Sequence, residues 1–209
     1  MEIVDRAFVL SVKKLTGNRQ LFVTYTEKEG KKTFIYFRRK TQKKIVQPFH
    51  LLEITYKPSV KKEILTLQKI AWQNALSTIF FHPEKSMQAV FLSEILTQTI
   101  IPESNAELFY FLEQSTLYLS ENEDNKFYID FLIFFTKYLG INIYSHPLED
   151  YPPSFVQYVK SLSTYQVQKI NRTRKKTYLD CLLRYYQEQT GMDLKIKSLP
   201  VIQAFFEGY

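Results

Sequence analysis

Apolar and polar residues alternate through the first seventy positions in short runs, the pattern of half-buried strands. Phe8, Leu10 and Val12 fall on one side of a first run, and Leu21, Val23 and Tyr25 repeat the pattern after a Thr16-Gly17-Asn18 turn. Phe34 and Tyr36 mark a third run, reached through a hairpin in which Gly30 supplies positive φ. Leu52, Ile54 and Tyr56 follow Pro48, and Ile64 to Leu67 close the series. Five short strands with regularly spaced turns predict a small closed barrel of the OB kind over residues 1–75, with an SH3-like barrel as the main competitor.

Beyond Trp72 the apolar period lengthens to between three and four, which predicts an all-helical domain over residues 76–209 and an α+β chain as a whole. Met87, Val90, Phe91, Glu94, Ile95 and Leu96 outline a helix from about His82 to Thr99, with Pro83 suited to its first turn. Ser104 precedes Glu107 at capping-box spacing, ahead of Leu108, Phe109 and Leu112. A third helix, from about Asn125 to Leu139, is apolar nearly all round, and Gly140 stands at its C-cap position. After a proline-bearing loop, further helices are expected over about Ser154–Leu162, about Tyr165–Gln189 with Gly191 as a stop, and a short stretch ending in Phe205 and Phe206.

Charge changes this picture by dividing the chain. Residues 1–70 carry 16 Lys/Arg against 6 Asp/Glu, residues 71–160 carry 4 against 11, and residues 161–209 carry 8 against 4. A polyanion is therefore expected to meet the front of the chain and not its middle. One cysteine, Cys181, excludes an internal disulfide and a thiolate-rich zinc site, and reads as a small core residue. His50, His82 and His146 are scattered and read as structural or surface residues. The absence of a basic-then-apolar leader and of a long uncharged apolar run predicts a soluble, cytoplasmic protein that does not enter membranes.

Motifs for enzymatic chemistry are missing: the chain has five glycines, no phosphate-cradling loop and no nucleophile elbow, so no cofactor, metal or catalytic residue is expected. Glu121, Glu123 and Asp124 could in principle bind a metal as a nuclease's carboxylates do, but their place before Phe127 fits the favourable end of a helix dipole. The barrel's cations carry more information. Lys13, Lys14, Arg19, Lys31, Lys32, Arg38, Arg39, Lys40, Lys43 and Lys44 all fall at strand ends or in loops, where an OB barrel gathers its ligand-binding groups. Phe22, Tyr25, Tyr36, Phe37 and Tyr56 are interleaved with them, and most of these rings are needed inside the barrel. A second basic group, Arg172, Arg174, Lys175 and Lys176, precedes an apolar helix; it suits an acidic peptide, an extension of a nucleic-acid surface, or a solvated helix start.

The chain resembles the RecO recombination mediators, in their shorter Bacteroidetes-like branch. The resemblance is carried by Ala7-Phe8-Val9-Leu10, by Val23 to Glu27 with Gly30-Lys31, and by Gln47 to Ile54. In the helical part it is carried by Phe91 to Leu96, Glu107 to Leu112, Phe131 to Gly140, Leu182 to Tyr186 and Lys197 to Ile202. It implies an OB-fold that binds single- and double-stranded DNA, anneals complementary strands, and works with a RecR-like protein to load recombinase on DNA coated by single-strand-binding protein. It also implies a helical domain that receives the acidic C-terminal tail of that coating protein. Many members of the family carry a four-cysteine zinc module, for which this chain lacks the residues. The alternative expectation is a protein–protein adaptor of the repair complex with little DNA affinity of its own, and a metal-dependent nuclease is a remote third.

Overall fold

The computed structural model describes residues 2–38, 45–59, 62–72, 74–164 and 169–207, the side chains of 74–77 and 206–207 excepted. Five strands, β1 (Ile3–Lys14), β2 (Arg19–Thr26), β3 (Gly30–Phe37), β4 (Leu51–Tyr56) and β5 (Ile64–Trp72), close into a barrel in the order β1-β2-β3-β5-β4. The β3–β5 pair is parallel and the others are antiparallel. This Greek-key order, closed by β1 on β4, is the OB-fold that the alternation predicts, followed by helices.

Closure depends on the length of β1. Its first half, Ile3–Phe8, pairs with β4, and its second half, from Ala7 to Lys14, pairs with β2. Val9 faces Thr24 and Ser11 faces Val23, so Leu10 is an extra residue in the ladder. Such a bulge bends the strand and shifts its side-chain phase by one. The inner set is therefore Ala7, Val9 and Val12, joined by Phe22 of β2, Phe34 and Tyr36 of β3, Leu52, Ile54 and Tyr56 of β4, and Leu65 and Leu67 of β5.

The faces expected for β3 and β4 are as observed, whereas two expectations change. Phe8 and Leu10 lie on the opposite side of β1 from Ala7 and Val9, yet are fully buried. Phe8 packs edge-to-face on Phe49 at 4.9 Å, and the Leu10 carbonyl accepts a hydrogen bond from Thr97 Oγ1. In β2 the inward residue is Phe22, while Tyr25 is buried on the outer side, its hydroxyl donating to the Glu103 carbonyl at 2.8 Å.

A 3-10 segment (Asn74–Phe81) leads into α1 (Pro83–Thr99), which begins on a proline that costs no helical hydrogen bond. α1 and α2 (Ala106–Glu121) pack on β1 and on the 3-10 segment. The cap of α2 is Asn105, whose Oδ1 accepts from the Leu108 amide at 3.0 Å, one residue beyond the expected Ser104. The reason lies in the preceding chain. The Pro102 carbonyl accepts from the Lys31 amide at 2.8 Å, and the 102–104 backbone lies directly on Gly30. Ser104 is held in that contact, and the helix starts after it.

Residues Met1–Glu123 form one compact unit and Asp124–Tyr209 a second. The change from strands to helices near residue 75 and this division of contacts are thus different boundaries, because the first two helices cover the barrel. In the second unit α3 (Phe127–Phe135) continues as a 3-10 turn to Leu139 and stops at Gly140, whose φ is 73°. α4 (Pro153–Ser163) and α5 (Arg172–Thr190) follow, then α6 (Leu199–Glu207). α5 starts at Arg172, later than the periodicity suggests, because Asn171 accepts from the Arg174 amide and caps it. Cys181 is buried, as expected of a small core residue.

Gly30 combines a φ of 71° with a missing Cβ that would stand 2.2 Å from the Pro102 oxygen. Gly30→Ala is expected to lower stability by about 2 kcal/mol or more, from left-handed strain plus overpacking, read as a lower urea midpoint. His50 is buried against Trp72 and Phe80, with Nδ1 accepting from the Gln47 amide at 3.0 Å. Desolvation pushes its pKa from 6.5 down to about 4. Protons then bind the unfolded chain first, so His50 costs nothing above pH 6.5 and removes about 3 kcal/mol as pH falls to 4. Urea unfolding across this window should show a flatter pH dependence for His50→Asn than for the natural chain; equal slopes would contradict the assignment.

Candidate nucleic-acid interface

β1 and β2 meet at the Gly17 turn, and the register then carries their charges to β3. Lys13 pairs with Leu21 and Lys14 with Gln20, while Arg19 pairs with Phe37. The Arg38 amide donates to the Asn18 carbonyl at 2.9 Å, and the Asn18 amide side chain returns a bond to the Arg38 carbonyl. This double link fixes the chain leaving β3 against the β1–β2 turn. Lys14, Arg19 and Arg38 thereby line one groove of about 520 Å³ with Gly17, Asn18, Gln20 and Ile45.

Among the described residues that line the groove, none carries a carboxylate. The sequence makes that a regional property: there is no Asp or Glu between Arg6 and Thr26, nor between Gly30 and Leu52. Lys13, Lys14 and Arg19 are exposed, and the Arg19 guanidinium is steadied by Thr16 through Oγ1 at 2.5 Å and the carbonyl oxygen at 3.4 Å. Cations held at the end of a barrel without nearby acids raise the local potential and attract polyanions. The gaps in acidic residues are the sequence signal that the count of cations alone leaves out.

Not every expected cation joins this group. Lys31 and Lys32 pair with Tyr25 and Thr24, at the opposite end of the β2–β3 ladder from the Arg19–Phe37 pair. The Lys31 ammonium donates to the Thr97 carbonyl at 2.7 Å near the end of α1, and burial lowers its pKa. Lys32 makes an ion pair with Glu29 at 3.4 Å. Arg39, Lys40, Lys43 and Lys44 lie outside the described residues. Of the interleaved aromatics, Phe22, Tyr25, Tyr36 and Tyr56 are buried, and Phe37 is half exposed.

A different basic side chain, Arg6, has a structural part. It holds Glu27 in a two-bonded fork at 2.8 and 2.9 Å, reaches Glu113 of α2 at 2.6 Å and lies 5.0 Å over the Phe109 ring. The Glu27 carboxylate is held below its ordinary pKa, chiefly by the Arg6 hydrogen bonds.

In the second unit, Arg172, Arg174 and Lys176 are exposed on the first turns of α5, where the helix dipole does not favour cations. Lys175 is buried and donates to Asn125 Oδ1, which ties α5 to the chain ahead of α3. A groove of about 770 Å³ opens elsewhere in this unit, between the 143–151 segment and α4, with Tyr144, Pro147, Val156 and Lys160 among its walls. It holds none of the four expected cations, and no sequence spacing marks it. Asp124 Oδ1 accepts from the Lys126 amide ahead of α3, in keeping with the helix-start reading for that residue, whereas Glu121 ends α2, where the dipole does not favour an acid. Among the described residues no group of three or more His, Cys, Asp or Glu could hold a metal ion, and no helix is long and apolar enough to cross a membrane.

No family model matches the chain. A DNA repair protein RecO of Flavobacterium psychrophilum is 24% identical over 237 aligned residues, covering 99% of this chain and all of the relative. The chain is thus similar to RecO proteins over nearly its whole length. The RecO of Flavobacterium johnsoniae is 31% identical over 148 residues, which cover 67% of this chain and 62% of that protein. The RecO of Bacteroides fragilis is 24% identical over 236 residues, covering 95% of this chain and 97% of that one. The likeness to RecO proteins thus runs through both compact units and is not confined to the barrel.

Proposed function

We propose that the chain acts in DNA repair as a RecO-type recombination mediator that binds DNA through the barrel and partners through its helical part. The observation that carries this reading is the groove in which Lys14, Arg19 and Arg38 converge. Phosphates entering it would exchange condensed counterions for fixed cations. Two complementary strands held by such a surface repel one another less, so annealing follows from charge neutralisation, with no covalent bond made or broken. Both single- and double-stranded DNA offer those phosphates. Loading of recombinase with a RecR-like protein, in the cytoplasm and on DNA coated by single-strand-binding protein, is the setting that the RecO likeness supports.

The test is a salt titration with the whole chain. Replacing Lys14, Arg19 and Arg38 together by Ala is expected to lower single-strand affinity at least tenfold at low salt. The slope of log K against log salt should become shallower by about 2, at roughly 0.7 per lost phosphate contact. Annealing should slow in parallel while the circular dichroism spectrum stays unchanged. Natural affinity and slope in the triple variant would overturn the reading, and no saturable binding by the natural chain would favour the adaptor instead.

For the partner surface, Arg172, Arg174 and Lys176 are the exposed cations, and an acidic, apolar-ended tail of single-strand-binding protein is the ligand they suit. Calorimetry with that tail peptide should show weaker binding when these three become Ala. Lys175→Ala is expected to act through stability, since it strips Asn125 of its buried donor. Unchanged peptide affinity in the triple variant would remove this surface from the proposal.

A further inference from the structure

We propose that Phe37 is a stacking platform for an unpaired base and that it makes the barrel groove discriminate single-stranded from double-stranded DNA. This rests on the DNA-binding reading above and adds a residue that sets its specificity.

Phe37 departs from the rule that governs the other rings of the barrel. Its neighbour Tyr36 points inward and stacks on Phe22, with centroids 5.8 Å apart, while Phe37 points the other way and is 50% exposed. Exposing that much aromatic surface at the end of a strand forgoes burial that the barrel gives to Phe22, Phe34 and Tyr56. Its position supplies a use. Arg19 is its direct cross-strand partner, which places the two side chains on one face with Cβ atoms about 5 Å apart. Arg38, which lines the cationic groove with Arg19, follows Phe37 in the chain. A backbone phosphate on Arg19 or Arg38 therefore leaves the adjoining nucleotide within reach of the ring.

One apolar side chain extends the surface: Ile45, on the groove wall, is 57% exposed. The combination of apolar surface and cations on its border is complementary to a single strand, which offers bare base faces and phosphates together. A duplex offers the phosphates only, because its base faces are already stacked on one another. The cations serve both forms of DNA, and the ring serves one.

Phe37→Ala and Phe37→Leu in the full-length chain are to be compared with Phe37→Trp by fluorescence anisotropy, using a labelled oligonucleotide alone and annealed to its complement. The Ala and Leu variants are expected to lose about tenfold in single-strand affinity, to stay within twofold for duplex, and to keep the natural salt slope; Trp should restore single-strand binding. Leu retains the apolar volume, so it carries the test if the Ala variant fails to fold. Equal single-strand affinity in Leu and natural chains, or an equal loss for both DNA forms, overturns the assignment of Phe37 while leaving the cationic groove standing. Absence of DNA binding by the natural chain overturns the reading on which it rests.

Discussion

β1 is shared between two neighbours, and the barrel exists because one strand can serve both. The extra residue at Leu10 lets the strand bend from β4 toward β2 without breaking either ladder. It also decides which side chains face inward, moving the inner set from Ala7 and Val9 to Val12. Once β1 and β2 are fixed in this register, Lys14 and Arg19 flank the Gly17 turn, and the Asn18–Arg38 link brings the end of β3 to them. The cationic groove is thus a consequence of barrel closure more than of any local motif.

The helices of the first unit make the barrel two-sided. Phe8, Leu10 and Tyr25 are buried on the outside of strands whose inner faces are also filled. The Pro102–Ser104 backbone can lie against the β2–β3 turn only because Gly30 has no side chain there. One end of the β2–β3 ladder is spent on this contact, with the Lys31 ammonium held by the Thr97 carbonyl. At the other end, Arg19 and Phe37 are exposed. Packing occupies one end of these two strands, and the proposed recognition the other.

Much of this is legible in the residues, and the exceptions have physical causes. Strand number, the Gly30 hairpin, and the inward faces of β3 and β4 follow from period-two alternation, because those strands have one apolar side. In β1 and β2 both sides are apolar, so alternation cannot choose a face, and a bulge is not visible in the pattern. The cap of α2 falls on Asn105 and not on Ser104 because a tertiary contact claims Ser104, which local spacing cannot register. Lys31 and Lys175 look like any other cations in the sequence; only the fold reveals a carbonyl and an amide oxygen already waiting for their ammonium groups. Phe37 carries a sequence mark of its own, as the ring out of phase with Tyr36.

The central claim is that DNA is met at one end of the barrel by groups that closure brings together. Amide chemical-shift mapping by NMR during titration with a short single strand tests it most directly. The account predicts perturbations concentrated at Gly17–Gln20 and Phe37–Arg38, with the α2 amides and those of the second unit little changed. Shifts centred on α5 or on α2, with the β1–β2 turn silent, would contradict it.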